Sequence, residues 1–219
     1  MKKLIKSIGE TLRGRISAAG LSREEEKVRK FILRTFAATG RPPTHVEIQE
    51  DLKLSSPDAA RRAVKRLEDA DLLATVGGEV VSSYPFSVRG TRHKVVFSNG
   101  REVNAMCATD ALGISFMLKE DTVVFSLCPQ CEAKIKIAIK NGAVVYKNPV
   151  DIIEWITSKA YAGRIADVCC PFMNFFCSVS CLEGWRDKDL EHTQGELYTV
   201  EEAAEHGRWI FEDYLSGRK

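Results

Sequence analysis

Residues 56–82 read SPDAARRAVKRLEDADLLATVGGEVVS, and the pattern changes halfway. Ser56 stands where a helix N-cap belongs, with Pro57 at the first helical position, where its missing amide costs nothing. Ala60, Ala63, Val64 and Leu67 then recur at helical spacing. From Leu72 to Val76, across Gly77-Gly78, and back through Glu79 to Ser82, the chain reads as strand, tight turn and strand. Upstream, Thr44-His-Val-Glu47 is a capping box that opens a short helix to about Leu52. Ser22-Arg-Glu-Glu25 is another, ahead of Val28, Phe31, Ile32, Thr35 and Phe36 on one helical face, and Gly40-Arg-Pro-Pro43 ends that helix. Residues 1–20 read as a short amphipathic helix ending near Gly20. Three helices followed by a hairpin form the winged-helix pattern, expected over residues 1–85. Arg61, Arg62, Lys65 and Arg66 lie on the third helix, where a recognition helix would face DNA. The same fold also serves as a structural or dimerisation module, and no second basic patch accompanies the first.

Downstream the periodicity shortens. His93–Phe97 and Arg101–Asn104 flank Ser98-Asn-Gly100 as a hairpin. A helix is predicted over 108–118 and a strand over 122–127. Lys134-Ile-Lys-Ile-Ala-Ile-Lys140 alternates with period two and turns at Asn141-Gly142 into Ala143–Tyr146. Asp151–Ser158 is predicted helical. A helix ends near Asp189, and Thr199-Val-Glu-Glu202 caps a last one carrying Ile210, Phe211, Tyr214 and Leu215. The expected class is α+β, with residues 86–219 as a second, mixed domain built on an antiparallel sheet.

The composition, 44% hydrophobic and 28% charged, is that of an ordinary globular chain. No apolar run approaches the roughly 20 residues that cross a bilayer. Met1-Lys-Lys-Leu-Ile-Lys6 lacks the apolar core of a signal peptide, so the expected location is the cytoplasm, away from membranes. Seven cysteines, all from Cys107 onward, are an odd number in what reads as a reducing compartment. That favours metal binding or thiol chemistry over a disulfide framework.

They fall into three constellations. Cys107-Ala-Thr-Asp110 places a thiol and a carboxylate on one face at a helix start, where the helix dipole favours the thiolate. Packing with a helix-dipole partner gives the same pattern. Cys169-Cys170 can send one side chain into a cavity and the other away, adjacent cysteines being poorly placed to bridge each other. Cys128-Pro-Gln-Cys131 on a hairpin turn, with Cys177-Ser-Val-Ser-Cys181 at a helix start, can make a tetrahedral four-cysteine zinc site. Phe175-Phe176 before Cys177 resembles the lead-in to the second pair of treble-clef fingers of the TRASH type. Free or redox thiols are the other reading of this set, although no thioredoxin-like βαβ pattern surrounds Cys128-x-x-Cys131.

Asn104-Ala-Met-Cys-Ala-Thr-Asp-Ala-Leu112 resembles the segment of the organomercurial (alkylmercury) lyase family that bears its first active-site cysteine and its aspartate. Cys170-Pro-Phe-Met-Asn-Phe175-Phe176 resembles the segment of the second, which selects Cys170 over Cys169. Cys128 looks like the family's buried structural cysteine. The resemblance spans roughly residues 20–190. It departs at Met106, where the family often has an aromatic, and at the second zinc-type pair. It implies that Cys107, Cys170 and Asp110 cleave a carbon–mercury bond by protonolysis to a hydrocarbon and Hg(II). Mercury would belong to the substrate, no organic cofactor would be needed, and cellular thiols or a mercuric reductase would accept the product. Phe172, Met173 and Phe175 are candidate apolar walls. The rival reading is a non-catalytic regulator that binds zinc at Cys128, Cys131, Cys177 and Cys181 and senses metals or binds DNA.

Overall fold

The computed structural model describes residues 12–157, 164–188 and 194–216. Helix α1 covers 12–19 of these and stops at Gly20, whose φ of 57° is left-handed. The earlier part of the predicted first helix, residues 1–11, and the predicted helix end at Asp189 lie outside the described residues. Helices α2 (Arg23–Thr39), α3 (His45–Leu52) and α4 (Pro57–Asp69) follow. The Ser22 and Thr44 capping boxes are both formed, and Ser56 caps α4. Each cap gives partners to amides that the first helical turn would leave bare. Val28, Ile32, Leu33, Phe36, Ile48 and Leu67 are the buried centre of this three-helix unit.

The hairpin β1 (Leu73–Val76) and β2 (Glu79–Ser83) begins an eight-stranded antiparallel sheet. It continues through β3 (Phe86–Ser87), β4 (His93–Phe97), β5 (Glu102–Ala105), β6 (Thr122–Leu127), β7 (Lys134–Lys140) and β8 (Ala143–Asn148). The spatial order is β1-β2-β3-β5-β4-β6-β7-β8. Strand β3 pairs with β2 through Ser83↔Phe86 and with β5 through Phe86↔Ala105, so the wing is the edge of the main sheet. Phe36 of α2 stacks on Phe86 at 5.6 Å, and Arg101 donates to the Ala37 carbonyl at 2.8 Å. Helix α2 is thereby fixed against β3 and β5.

A second sheet has the order β10-β9-β11, from β9 (Ile153–Thr157), β10 (Asn174–Phe176) and β11 (Gly195–Thr199). The predicted helix at Asp151–Ser158 is therefore corrected: its described part holds strand β9. Ile-Glu-Trp-Ile-Thr is rich in β-branched and aromatic residues, and every one of the five is buried. A central strand covered on both faces shows no alternation, so its periodicity resembles that of a buried helix.

Helix α5 (Ala108–Leu118) is buried along its length except at Leu118. It lies against α8 (Val200–Phe211), which the predicted Thr199 capping box starts. A Cβ added to Gly207 would lie 2.7 Å from the Gly113 amide nitrogen, so the two helices meet backbone to backbone. Helix α6 (Ile165–Val168), a 3₁₀ turn at Cys170–Phe172 and α7 (Val179–Arg186) complete the described chain.

Candidate functional site

Cys107 is the N-cap of α5, extended at φ −148°. Its sulfur accepts from the Asp110 amide at 3.4 Å, the role a hydroxyl plays in most caps. In return the thiol donates to Asp110 Oδ2 at 3.1 Å. The second thiol arrives from the 3₁₀ turn: Cys170 Sγ donates to the same oxygen at 4.0 Å. The Ala108 amide donates to the Met173 carbonyl at 3.0 Å, which ties the start of α5 to that turn. The sequence-predicted trio thus shares one place, with its three ligand atoms within 4.8 Å of one another. Cys169 is fully buried and stands outside that group.

Burial sets the protonation of the trio. Desolvation pushes the Asp110 carboxyl up to about 7, against bonds from Cys107 that pull it down. Desolvation, then the contact with Cys170 and the charge of Asp110, drive the Cys107 thiol well above its ordinary value. For Cys170 the contact with Cys107 pulls down, while burial and Asp110 push up and win. The helix dipole expected to favour the Cys107 thiolate is outweighed by desolvation. At rest both sulfurs carry protons, and Asp110 is the group poised to titrate near neutrality.

Cys170 also lines a cleft of about 640 Å³, with Met106, His93, Asn174, Arg89 and Arg164 among its walls. Cys107 and Asp110 sit behind it, only 2% and 5% exposed. Three cationic side chains, Arg89, Arg92 and Arg164, face one carboxylate, Asp167, around this cleft. The aromatic and methionine walls expected from Phe172, Met173 and Phe175 are not there. Met173 and Phe175 are buried core, and the apolar lining of this cleft comes instead from Ala74, Met106, Ala166 and Pro171.

Three residues of this region were not signalled by motif. Thr109 donates at 2.6 Å to Glu154 Oε1, and the other Glu154 oxygen is buried without a hydrogen-bond partner among the described residues. Desolvation pushes Glu154 up to about 8, so it is mostly protonated at neutral pH. Its signal was an acid inside the apolar run Ile152–Ile156. His93 is buried and pushed down to about 4 by desolvation, hence neutral, with Nδ1 3.0 Å from Ser126 Oγ.

The four remaining cysteines form a separate cluster. Cys128 follows β6, Cys131 lies three residues further on, Cys177 follows β10 and Cys181 lies in the first turn of α7. Sulfur separations are 3.5 Å for Cys131–Cys177, 3.3 Å for Cys177–Cys181 and 3.6 Å for Cys181–Cys131. All four sulfurs lie within 4.8 Å of one another. The basic face of α4 is exposed, with Arg61 paired to Asp58 and Lys65 to Glu68 and Asp69, while Arg66 donates to the Ala19 carbonyl.

Two buried thiols converge on one carboxyl at the back of a cleft, a donor set of the kind that thiophilic metals prefer. Residues 86–212 match the family model for alkylmercury lyase, and the chain belongs to that family. It is an organomercurial lyase. Residues 18–77 match the model of the LexA DNA binding domain, consistent with the winged-helix-like start. The chain also shares its fold with the crystal structure of the mercury-bound form of MerB2, at a TM-score of 0.77 and 21% identity, covering 98% of this chain and all of that one. No curated protein sequence matches the chain. No helix among the described residues is long and apolar enough to cross a membrane.

Proposed function

We propose that Cys107, Cys170 and Asp110 carry out the carbon–mercury cleavage as two sulfur ligands and one proton carrier. The observation that supports this reading is the single oxygen, Asp110 Oδ2, within reach of both thiols. The substrate arrives as R–Hg–SR′ with a small thiol. Cys170, the thiol at the cleft wall, exchanges first, giving R–Hg–S-Cys170 and free HSR′. Ionised Asp110 then takes the Cys107 proton, and the freed sulfur binds mercury. Two sulfur ligands raise electron density on mercury and its carbon. The Asp110 proton passes to that carbon, the pair of the C–Hg bond goes with it, and R–H leaves. Hg(II) stays between Cys107 and Cys170, and Asp110 is again a carboxylate. Charge balances at each step, and no organic cofactor takes part. An acceptor thiol, free in the cytoplasm or on a mercuric reductase, removes Hg(II) by the same exchange.

The N-terminal unit, residues 1–85, serves in this reading as a buttress for the main sheet rather than as a DNA reader. Phe36–Phe86 stacking and the pairing of the α4 basic side chains within the chain support that assignment. The test is release of hydrocarbon and Hg(II) from phenylmercury with excess thiol, by the protein and by its Asp110→Ala variant. Loss of turnover in the variant upholds the reading, and full turnover overturns it.

A further inference from the structure

We propose that Cys128, Cys131, Cys177 and Cys181 hold one structural zinc ion, at a site distinct from the mercury-binding pair. A tetrahedral Zn–S bond of about 2.3 Å implies sulfur–sulfur edges of about 3.8 Å. The three contacts at 3.3–3.6 Å, and the limit of 4.8 Å on every pair, bracket that edge. A disulfide would bring two sulfurs to about 2.05 Å, far inside these separations. A cluster of several irons bridged by sulfide would push its cysteines further apart than 4.8 Å, so the space suits one ion.

The backbone is arranged for the same end. Cys128 and Cys131 stand on a tight turn closed by Cys128 amide to Ala133 carbonyl at 3.0 Å and Glu132 amide to Cys128 carbonyl at 2.9 Å. Glu132 takes a φ of 58° to close it. Cys177 and Cys181 flank the capped first turn of α7, where the Ser178 hydroxyl accepts from the Cys181 amide at 3.2 Å. The positive end of that helix offsets the negative charge of a tetrathiolate centre. Gln130 of the turn lies over Gly184 of α7, where an added Cβ would come 2.9 Å from its side-chain nitrogen. Cys131 is exposed and Cys177 and Cys181 are half-buried, so an ion can reach them. On binding, four Zn–S bonds form, the thiol protons leave to solvent, and nothing is oxidised or reduced.

The ion would join the β6–β7 turn to the β10–α7 junction. Cys177 is seven residues from Cys170, with only β10 and the end of the 3₁₀ turn between them. Zinc at this place braces the segment that presents Cys170.

The test is elemental analysis of the full chain purified from zinc-replete cells, with cobalt substitution as a spectroscopic probe. About one zinc per chain is expected, falling below about a tenth in Cys131→Ser and Cys177→Ser and unchanged in the Cys107→Ala/Cys170→Ala double variant. Cobalt should give the visible bands of a tetrahedral thiolate centre in the unaltered chain, so the result does not depend on whether the serine variants fold. Folded protein with no metal and no cobalt spectrum overturns the proposal, as does iron in place of zinc. Zinc lost from the Cys107→Ala/Cys170→Ala variant instead would also overturn it. Carbon–mercury cleavage is read separately, so failure here leaves the catalytic reading standing.

Discussion

The Thr109 hydroxyl donates a 2.6 Å hydrogen bond to Glu154 Oε1, which anchors the first turn of α5 to the central strand of the second sheet. Asp110, the proposed proton carrier, is the next residue along that turn, so its position depends on a buried carboxyl group one strand away. After desolvation, the charge of Asp110 in the same dry region also pushes Glu154 up.

Stability should therefore fall as the pH rises from about 4 to about 8. Glu154 is raised from 4.5 to about 8, so the folded chain binds that proton more tightly than the unfolded one. The resulting penalty is absent below about pH 4, grows up to about 8 and is constant above it. Glu154→Gln keeps the acceptor for Thr109 and cannot ionise. Its melting temperature should match the unaltered chain at about pH 4 and exceed it by about 10 °C or more at pH 9. Equal melting curves at both pH values would show that Glu154 is not buried as a neutral acid.

The pH profile of turnover reads Asp110 directly. Both thiols are protonated at rest, so the carboxyl must be ionised to accept the Cys107 proton. The value of kcat/KM should rise with pH and level off above about 7. Asp110→Asn should lower kcat by about 100-fold or more and remove that rising limb, because general acid–base help is worth about that much. A limb near 7 that survives in Asp110→Asn would assign it to another group.

The meeting of Gly113 with Gly207 predicts a stability effect far from the thiols. A Cβ at Gly207 would lie 2.7 Å from the Gly113 nitrogen and 2.9 Å from its Cα, and backbone cannot swing aside as a side chain can. Gly207→Ala should cost about 1–3 kcal/mol by forcing α8 off α5. For a chain of this size that lowers the melting temperature by about 3–10 °C, measurable by calorimetry. An unchanged melting temperature would mean that the helices have room to part.

Local signals were legible where chemistry is local. Ser22, Thr44, Ser56 and Thr199 marked helix starts because a cap is decided within four residues, and all four caps are formed. The alternation at Lys134–Lys140 marked β7 because that strand has one exposed face. Cys107 and Asp110 were legible together because three residues along a helix start is a fixed geometry. Strand β9 was not, because its burial comes from neighbours that arrive about 20 and 40 residues later in the chain. The Thr109–Glu154 pair is a contact between residues 45 apart, and nothing in either local sequence points to the other. The same limit hid the cleft walls, where Met106 and Arg164 come together from separate loops.

Cys169 and Cys170 offer the sharpest comparison, because neighbours with one side-chain chemistry face different surroundings. Cys170 reaches Asp110 and the cleft; Cys169 is fully buried and outside both metal-type groups. A buried cysteine outside both groups packs chiefly as a small side chain, and alanine replaces most of that packing. Cys169→Ala should keep more than about half of the turnover, at a cost of about 1 kcal/mol in stability. In the proposed order, Cys170→Ala removes the first sulfur to meet mercury, and Cys107→Ala removes the second. Either should abolish hydrocarbon release from phenylmercury within detection, with the fold intact by circular dichroism. Their defects should differ in kind. Cys107→Ala should still take up R–Hg on Cys170 and hold it uncleaved, seen as one bound organomercurial per chain after gel filtration. Cys170→Ala leaves at this site only a thiol that is 2% exposed, so uptake there, measured with the Cys128–Cys181 cluster filled by zinc, should be slow. Rapid uptake by Cys170→Ala would show that mercury reaches Cys107 first and would reverse the order of ligand exchange.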